Sequence, residues 1–291
     1  MNYKEHREKT RKFKQSLGFT LLRISVFIVF LSLLSLVIFI CLKGFKVLSL
    51  SFLLEFPKRG MTKGGVFPAI VGTFLLSTGA ILFALPSGVL AAIYLKEYAR
   101  AKRWVRVIRI SINNLAGVPS VVFGLFGLTI FVKLFGFGVS VLSGSLTLGI
   151  LILPVIIRTA EEAINSVPFS FKEASFALGA TKWQTIKKVV LPTALPGILT
   201  GAILSLGRAA GETAPILFTA ATFYTRHLPK SPFSEVMALP YHIYALMTEG
   251  TKPELQVPIA YGTALVLLLL VFAINLVAII IRSRARRKKR W

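Results

Sequence analysis

Residues 158–192 read RTAEEAINSVPFSFKEASFALGATKWQTIKKVVLP, a polar stretch set between long apolar segments. Two capping-box patterns lie within it: Ser170 stands three residues before Glu173, and Thr181 stands three residues before Gln184. In a capping box, a hydroxyl and a carboxylate or amide satisfy backbone N–H groups that the start of a helix leaves without partners. Each pattern therefore predicts the beginning of a helix.

Two residues of the same stretch predict where helices end. Val167 precedes a proline, and the residue before proline is pushed out of the α region. Gly179 lies between the two capping boxes, and glycine is the residue best suited to end a helix in the left-handed conformation. The sequence thus predicts two short helices, over 171–178 and 182–190, joined at a tight corner.

Each of these short helices has one face of apolar or small residues. The faces consist of Phe171, Ala174, Ser175 and Leu178 on the first helix and Trp183, Ile186 and Val190 on the second. A compact helical hairpin of this kind fits the groove of a partner protein. The pattern fits equally a loop that folds on itself and touches nothing, and physical reasoning alone leaves both interpretations open.

The composition is typical of a polytopic membrane protein. Apolar residues make up 55% of the 291 positions, and several apolar runs are long enough to cross a bilayer. We predict an all-α integral membrane protein with six transmembrane helices, over 17–42, 66–94, 107–135, 141–164, 194–221 and 257–281. A basic tail (1–16), an outer loop (43–65), the hairpin segment (165–193) and a second basic tail (282–291) complete the chain.

The basic residues are distributed unequally between the two sides of the predicted membrane. The two tails, the loop near 95–106 with Arg109, and the hairpin carry 23 Lys and Arg residues, whereas the opposite loops carry 8. An excess of positive charge marks the cytoplasmic side, so both termini and the hairpin are expected there. The net charge of +24 therefore reflects topology and attraction to anionic lipid, and no nucleic-acid partner is expected.

Several kinds of site are not supported by the sequence. Cys41 is the one cysteine, which excludes internal disulfides and thiolate metal clusters. His227 and His242 are isolated and are interpreted as surface residues, so no metal site and no cofactor are expected. The chain has no phosphate-cradling G-x4-G-K-[ST] loop and no catalytic triad or paired catalytic carboxylates. We therefore expect a non-catalytic chain whose energy source is another subunit.

Charged residues inside predicted spans are costly and indicate function or tight internal pairing. Arg208 and Glu212 lie one turn apart at the middle of the fifth span, and Arg158 lies one turn from Glu161 and Glu162 near the end of the fourth. Each pair can be neutralised within one helix. Arginine suits bidentate contact with an oxyanion, so we interpret these residues as lining an anion path. The alternative is that the pairs only hold the bundle together.

The hairpin resembles the "EAA" signature of bacterial ABC-importer permeases, whose pattern is EAA-x3-G-x9-I-x-LP. This chain departs from it only at Ser175 and Val189. In that family the element is a coupling helix that inserts into a cleft of the ATPase subunit. The resemblance implies that ATPase coupling involves Glu173, Ala174, Ser175, Gly179, Val189, Leu191 and Pro192.

Three further stretches, RTAEEAINSVP, GGVFPAIVGT and above all RAAGETAPILFTA, resemble the PstA family of phosphate-specific ABC-importer permeases. The resemblance covers most of 65–222. It implies a type I importer fold in the bacterial inner membrane, with phosphate passing Arg158, Arg208, Glu161 and Glu212. It also implies a PstC-like second permease as heterodimer partner, two PstB-like ATPase subunits and a PstS-like extracytoplasmic phosphate-binding protein.

Other functions remain compatible with the same residues. The chain could import another oxyanion, such as sulfate, molybdate or phosphonate, which substrate competition would distinguish. It could be a proton-coupled carrier that needs no ATPase, in which case Glu212→Gln would uncouple transport from pH. It could also be a scaffold or phosphate sensor that binds partners without transporting anything.

Overall fold

The computed structural model describes residues 3–99, 103–225 and 227–287, and this part of the chain is almost entirely helical. The helices are α1 (Tyr3–Gly44), α2 (Leu50–Leu54), α3 (Phe67–Ile93), α4 (Arg103–Leu115), α5 (Ser120–Gly127), α6 (Val141–Asn165), α7 (Phe169–Ala177), α8 (Lys182–Thr185), α9 (Leu191–Gly211), α10 (Ala214–Thr219), α11 (Leu239–Thr248) and α12 (Pro253–Arg287). Short strands β1 (Pro57–Lys58) and β2 (Lys63–Gly64) pair antiparallel. π-Helical turns extend α3 over Tyr94–Tyr98, extend α5 over Leu128–Leu134, and join α8 to α9 over Ile186–Val190.

Five helices of the described chain are long and apolar enough to span a membrane. They are Lys14–Gly44, Phe67–Tyr98, Val141–Asn165, Lys182–Gly211 and Pro253–Arg284. A sixth candidate is bent: Arg103–Leu115 and Ser120–Leu134 meet at 104°. The sequence predicted one continuous span over 107–135. The two helices are separated at Pro119, the N-cap of α5, whose ψ of 140° lies outside the α region.

The fifth span differs from its predicted limits of 194–221. The helix begins at Lys182, because the backbone stays in the α region at Ile186, where the π-helical turn begins, and at Leu191, which follows it. It stops at Gly211, and Glu212 is extended with φ −74° and ψ 132°. The predicted second helix of the hairpin is therefore not a separate element. It forms the first turns of one long helix.

The core of the bundle lies between α3, α6 and α9. Glycines allow the backbones to approach closely: a Cβ at Gly201 would lie 1.9 Å from the Thr159 hydroxyl, and one at Gly197 would lie 2.6 Å from the Ala163 methyl group. Small residues at helix contacts are typical of bundles in lipid, where close backbone packing replaces the hydrophobic effect. By contrast, the most apolar 18-residue window of α1 has no buried residue, as expected for a surface that faces lipid.

The region that precedes α12 is packed more tightly than the sequence suggested. His242 on α11 is only 2% exposed, so its interpretation as a surface residue is wrong, whereas His227 is exposed. Burial lowers the pKa of His242 to about 4, because the charged imidazolium loses its hydration. The backbone N–H of Leu239, on the same helix, donates to the Thr73 hydroxyl of α3 at 2.8 Å, which fastens α11 to the bundle.

Candidate functional site

One of the two predicted capping boxes is present in the α7–α8 hairpin, at the start of α8. Thr181 Oγ1 accepts a hydrogen bond from the Gln184 N–H at 3.4 Å, and Gln184 Oε1 accepts one from the Thr181 N–H at 2.8 Å. This capping box is therefore confirmed. The box predicted at Ser170 is wrong, because Pro168 occupies the N-cap of α7 and no side chain caps that helix. Ser170 consequently lies within the first turn.

The corner of the hairpin adopts the predicted left-handed conformation at Gly179, whose φ is +77°. Its N–H donates to the Phe176 carbonyl at 2.9 Å. Beneath the corner, the buried hydroxyls of Ser175 and Thr185 are 2.9 Å apart, so they share a hydrogen bond between the two arms. Ser175 is one of the two departures from the family signature, and the structure provides its partner.

An apolar groove of about 410 Å³ runs along the hairpin. Both arms contribute to it, through Phe171, Ala174, Ser175, Leu178, Lys188, Val189, Pro192 and Thr193. Leu178 at the tip is 89% exposed. Glu173 is also exposed, whereas Leu191 and Pro192 are half-buried where the hairpin joins the bundle. The hairpin thus presents apolar surface outward while its base is anchored by the buried Ile186 and Val190.

Glu97, which the sequence analysis did not single out, fastens both arms of the hairpin to the end of α3. Its Oε1 lies 2.5 Å from the Lys172 ammonium, and both side chains are mostly buried, at 13% and 14% exposed. Lys182 donates to the Glu97 carbonyl and lies over the Tyr98 ring, 4.7 Å from its centre. One signal could have found it: Glu97 is the one acidic residue of the basic loop 95–106.

The predicted ion pair between Arg208 and Glu212 forms. Arg208 Nε donates to Glu212 Oε1 at 3.3 Å, with side chains 40% and 17% exposed. Arg208 lies in the last turn of α9, and Glu212 is the C-cap residue at which the helix stops. Irregular backbone at membrane depth is tolerated where it lines a cavity or is buried in protein. The pair therefore lies at a break in the fifth span.

The predicted pairing of Arg158 with Glu161 within α6 is wrong. Glu161 Oε1 lies 3.1 Å from Nη2 of Arg109 on α4, and the same Nη2 donates to the Leu95 carbonyl at 3.1 Å. Within the described chain, Arg158 forms no ion pair and is exposed. The guanidinium of Arg109 reaches Glu161 from outside α6, which spacing along one helix could not reveal.

Arg158 and Glu161 share a pocket of about 230 Å³ between α4 and α6. The pocket is lined by Arg109, Ile112, Asn113, Arg158, Glu161 and Glu162. Two arginines and two glutamates thus surround one small cavity, in which Asn113 supplies both a hydrogen-bond donor and an acceptor. Within the part of the chain that the structure describes, Arg158 is the cation of this set without an ion-pair partner, because Arg109 is held by Glu161.

Arg158 and Arg208 lie at two different depths. The contacts of Gly201 with Thr159 and of Gly197 with Ala163 show that α6 and α9 run antiparallel. Continuing this register places Arg208 level with residue 152, near the middle of α6. At 1.5 Å per residue, Arg158 lies about 9 Å nearer the hairpin end of the bundle. The two arginines are therefore staggered along neighbouring helices and do not converge at one point.

Comparison with known protein families identifies the fold. The family model described as "Binding-protein-dependent transport system inner membrane component" matches residues 84–291. Among solved structures, a subunit of a bacterial alginate ABC transporter in complex with its periplasmic protein aligns with a TM-score of 0.65 at 17% identity, covering 90% of this chain and 92% of that one. A subunit of the MetNI methionine ABC transporter aligns with a TM-score of 0.58 at 21% identity, covering 76% and 94%. These identities show a shared fold only.

Curated relatives are similar over most of their length. "Probable ABC transporter permease protein YqgI" of Bacillus subtilis (strain 168) is 37% identical over 82% of this chain and 85% of its own length. "Phosphate transport system permease protein PstA 1" of Mycobacterium tuberculosis (strain ATCC 25618 / H37Rv) is 41% identical over 78% and 72%. The PstA of Pasteurella multocida (strain Pm70) is 35% identical over 90% and 94%. The chain therefore belongs to the binding-protein-dependent family of ABC-transporter permeases, multi-pass inner-membrane subunits that leave ATP hydrolysis to a separate subunit.

Proposed function

We propose that this chain is the permease subunit of an ABC importer that moves inorganic phosphate into the cytoplasm. The observation that carries the proposal is the pair of staggered arginines, Arg208 at mid-depth and Arg158 about 9 Å nearer the hairpin. Both side chains lie on neighbouring core helices and are exposed in this chain. The relatives named as phosphate transport permeases support the choice of phosphate.

The chemistry of the arginines suits a tetrahedral oxyanion. A guanidinium presents several N–H donors in a planar fork and remains charged at any physiological pH. Two such groups at successive depths provide two positions at which a dianion replaces part of its lost hydration. Glu212 beside Arg208 reduces the net charge there, which keeps the anion from binding too tightly to leave.

Glu212 also favours phosphate over sulfate. Phosphate near neutral pH carries at least one P–OH group, which can donate a hydrogen bond to a carboxylate, whereas sulfate has only acceptor oxygens. The carboxylate of Glu212 beside Arg208 therefore accepts a bond from phosphate and repels sulfate. This combination of a positive fork with an acceptor distinguishes two anions of similar size and charge.

The hairpin is proposed as the surface that receives force from the ATPase. Its exposed apolar residues and the 410 Å³ groove fit insertion into a cleft of a partner. This assignment places the hairpin and both termini in the cytoplasm, in agreement with the excess of Lys and Arg on that side. The complete importer would contain a PstC-like second permease, two PstB-like ATPase subunits and a PstS-like phosphate-binding protein outside the membrane.

The test is phosphate uptake by liposomes that contain this chain with its proposed partners, the binding protein and ATP. We expect Arg208→Gln to lower the initial uptake rate at least about tenfold, the effect of about 1.4 kcal/mol on a transport barrier. Arg59→Gln, a change in the exposed outer turn, serves as the control. Unchanged uptake by Arg208→Gln in an assembled complex would remove Arg208 from the path.

Substrate competition and energetics test the other functions. Excess sulfate should leave phosphate uptake unchanged, and competition by sulfate would indicate a general oxyanion importer. Uptake without ATP, driven by a pH gradient, would indicate a proton-coupled carrier. Binding of partners with no flux would indicate a sensor or scaffold.

A further inference from the structure

Two arginines are placed to form an ion pair with Glu161. Arg109 is 3.1 Å from its carboxylate across the α4–α6 contact, while Arg158 stands three residues earlier on the same helix, within reach of an i,i+3 pair. We propose that Arg109 is a positioning residue, which holds Glu161 away from Arg158 and so keeps the Arg158 guanidinium free to bind an anion in the 230 Å³ pocket. This inference rests on the proposed phosphate path.

The burial of Glu161 makes a partner necessary. Its side chain is 20% exposed, so its carboxylate has lost most of its hydration and needs a cation or donor nearby. If Arg109 were neutral, the remaining cation that lines the same pocket would be Arg158. Glu162 differs, because it is exposed and remains hydrated, and it forms no ion pair in the described structure although it also stands one turn from Arg158.

The contact of Arg109 with Glu161 is unusual for a residue of α4. None of the residues of α4 is buried, and its other arginines, Arg103 and Arg106, point outward as exposed side chains. Arg109 alone on this helix also donates to the Leu95 carbonyl at the end of α3. The guanidinium is therefore fixed by two elements before it meets Glu161. These contacts orient the Arg109 side chain, although it is 46% exposed.

Among the residues that the structure describes, the arrangement leaves the Arg158 guanidinium in this pocket without an ion-pair partner, next to the exposed carboxylate of Glu162. With Arg109 and Glu161 neutralising each other, Arg158 and the Asn113 amide supply this cavity with donors that lie outside that ion pair. Pairing of Glu161 with Arg158 would remove that donor fork and place a carboxylate in competition with the substrate. Arg109 thus controls the anion affinity of a neighbouring residue without touching the anion itself.

The experiment measures initial phosphate uptake in the complete liposome importer, at equal amounts of assembled complex. We expect Arg109→Gln to lower uptake about two- to fivefold, the range that corresponds to an ion pair partly exposed to solvent. The double variant Arg109→Gln/Glu161→Gln should restore it, because no buried carboxylate remains to capture Arg158. Two controls match these changes: Arg106→Gln should leave uptake unchanged, and Arg109→Gln/Glu162→Gln should remain as low as Arg109→Gln.

A chemical readout separates this role from simple anchoring of α4. Phenylglyoxal, which modifies free guanidinium groups, should label Arg158 more slowly in Arg109→Gln than in the wild type, and at the wild-type rate in the double variant with Glu161→Gln. Failure of the double variant to recover would show that Arg109 anchors α4 and overturn the inference. Full uptake by both Arg158→Gln and Arg208→Gln would instead overturn the phosphate path, whatever Arg109 does.

Discussion

The ammonium group of Lys172 lies 2.5 Å from the carboxylate of Glu97, and this pair joins the α7–α8 hairpin to the end of α3 across 75 residues of sequence. Lys182, on the opposite arm, donates to the backbone carbonyl of the same glutamate. One residue outside the hairpin therefore contacts both of its arms. A force applied to the hairpin reaches α3 directly as well as through the helices that continue from the hairpin.

We expect Glu97→Gln to reduce the number of phosphate ions imported per ATP hydrolysed. Removing one partner of a mostly buried pair costs about 3–5 kcal/mol, so Lys172 would leave its position and α3 would no longer follow the hairpin. Uptake and ATP hydrolysis are measured together in the reconstituted importer. Glu55→Gln is the control, because its pair with Lys58 is 43% and 62% exposed. An unchanged ratio in an intact complex would contradict the link.

The hydrogen bond between Ser175 and Thr185 can be tested by a double-mutant cycle. Ser175→Ala leaves the Thr185 hydroxyl buried without a partner, and we expect a loss of about 1–3 kcal/mol of stability. Thr185→Val should cost a similar amount, whereas the double variant should be close to wild type, because no polar group remains unsatisfied. The thermal midpoint of the purified complex measures each change. Additive losses would show that the two hydroxyls do not depend on each other.

The contact between α6 and α9 predicts a strong effect of a very small substitution. Gly201→Ala would place a methyl group within 1.9 Å of the Thr159 hydroxyl, so the helices must separate. Overpacking of this kind costs about 1–3 kcal/mol, which should lower the thermal midpoint of the complex. Gly18→Ala is the matched control, because a Cβ at Gly18 would meet nothing within 4 Å. Equal midpoints for the two variants would contradict this packing.

His242 predicts a loss of stability in mild acid. Its pKa is lowered to about 4 in the folded chain, against an unperturbed value near 6.5, so the unfolded chain binds a proton first as the pH falls. The free energy of unfolding is therefore unaffected by protonation of His242 above pH 6.5. It falls as the pH drops from 6.5 to 4, by up to about 3 kcal/mol. In His242→Phe, the thermal midpoint of the complex should depend less on pH over this range than it does in the wild type. His227→Gln, at an exposed position, should leave the profile unchanged.

The features that could be predicted from the sequence are local ones. The left-handed Gly179, the capping box at Thr181 and the pair between Arg208 and Glu212 each involve residues no more than four positions apart. Such contacts are determined by the geometry of a single turn or helix, so spacing along the chain is sufficient. The same reasoning found the apolar runs, since their length is compared with one bilayer thickness.

The features that were missed depend on which way each helix faces. Glu97 meets Lys172 and Arg109 meets Glu161 only after separate helices have packed, and no periodicity encodes that rotation. The break at Gly211 was missed for a different reason. The residues around Gly211 are apolar enough to resemble one span, although Pro215, in the first turn of α10, is typical of a helix start.

The helix Lys182–Gly211 is continuous, so it can transmit a change of tilt from one end to the other. Arg208 stands 26 residues from its start at the hairpin corner, about 39 Å along the axis, so a tilt at the corner is carried up to mid-depth. Arg158 is attached differently, because the chain breaks at Pro168 between its helix and the hairpin. If the hairpin moves as proposed, it should therefore displace the two arginines by unequal amounts. On the proposed phosphate path, the distance between the two guanidinium groups would then depend on the position of the hairpin.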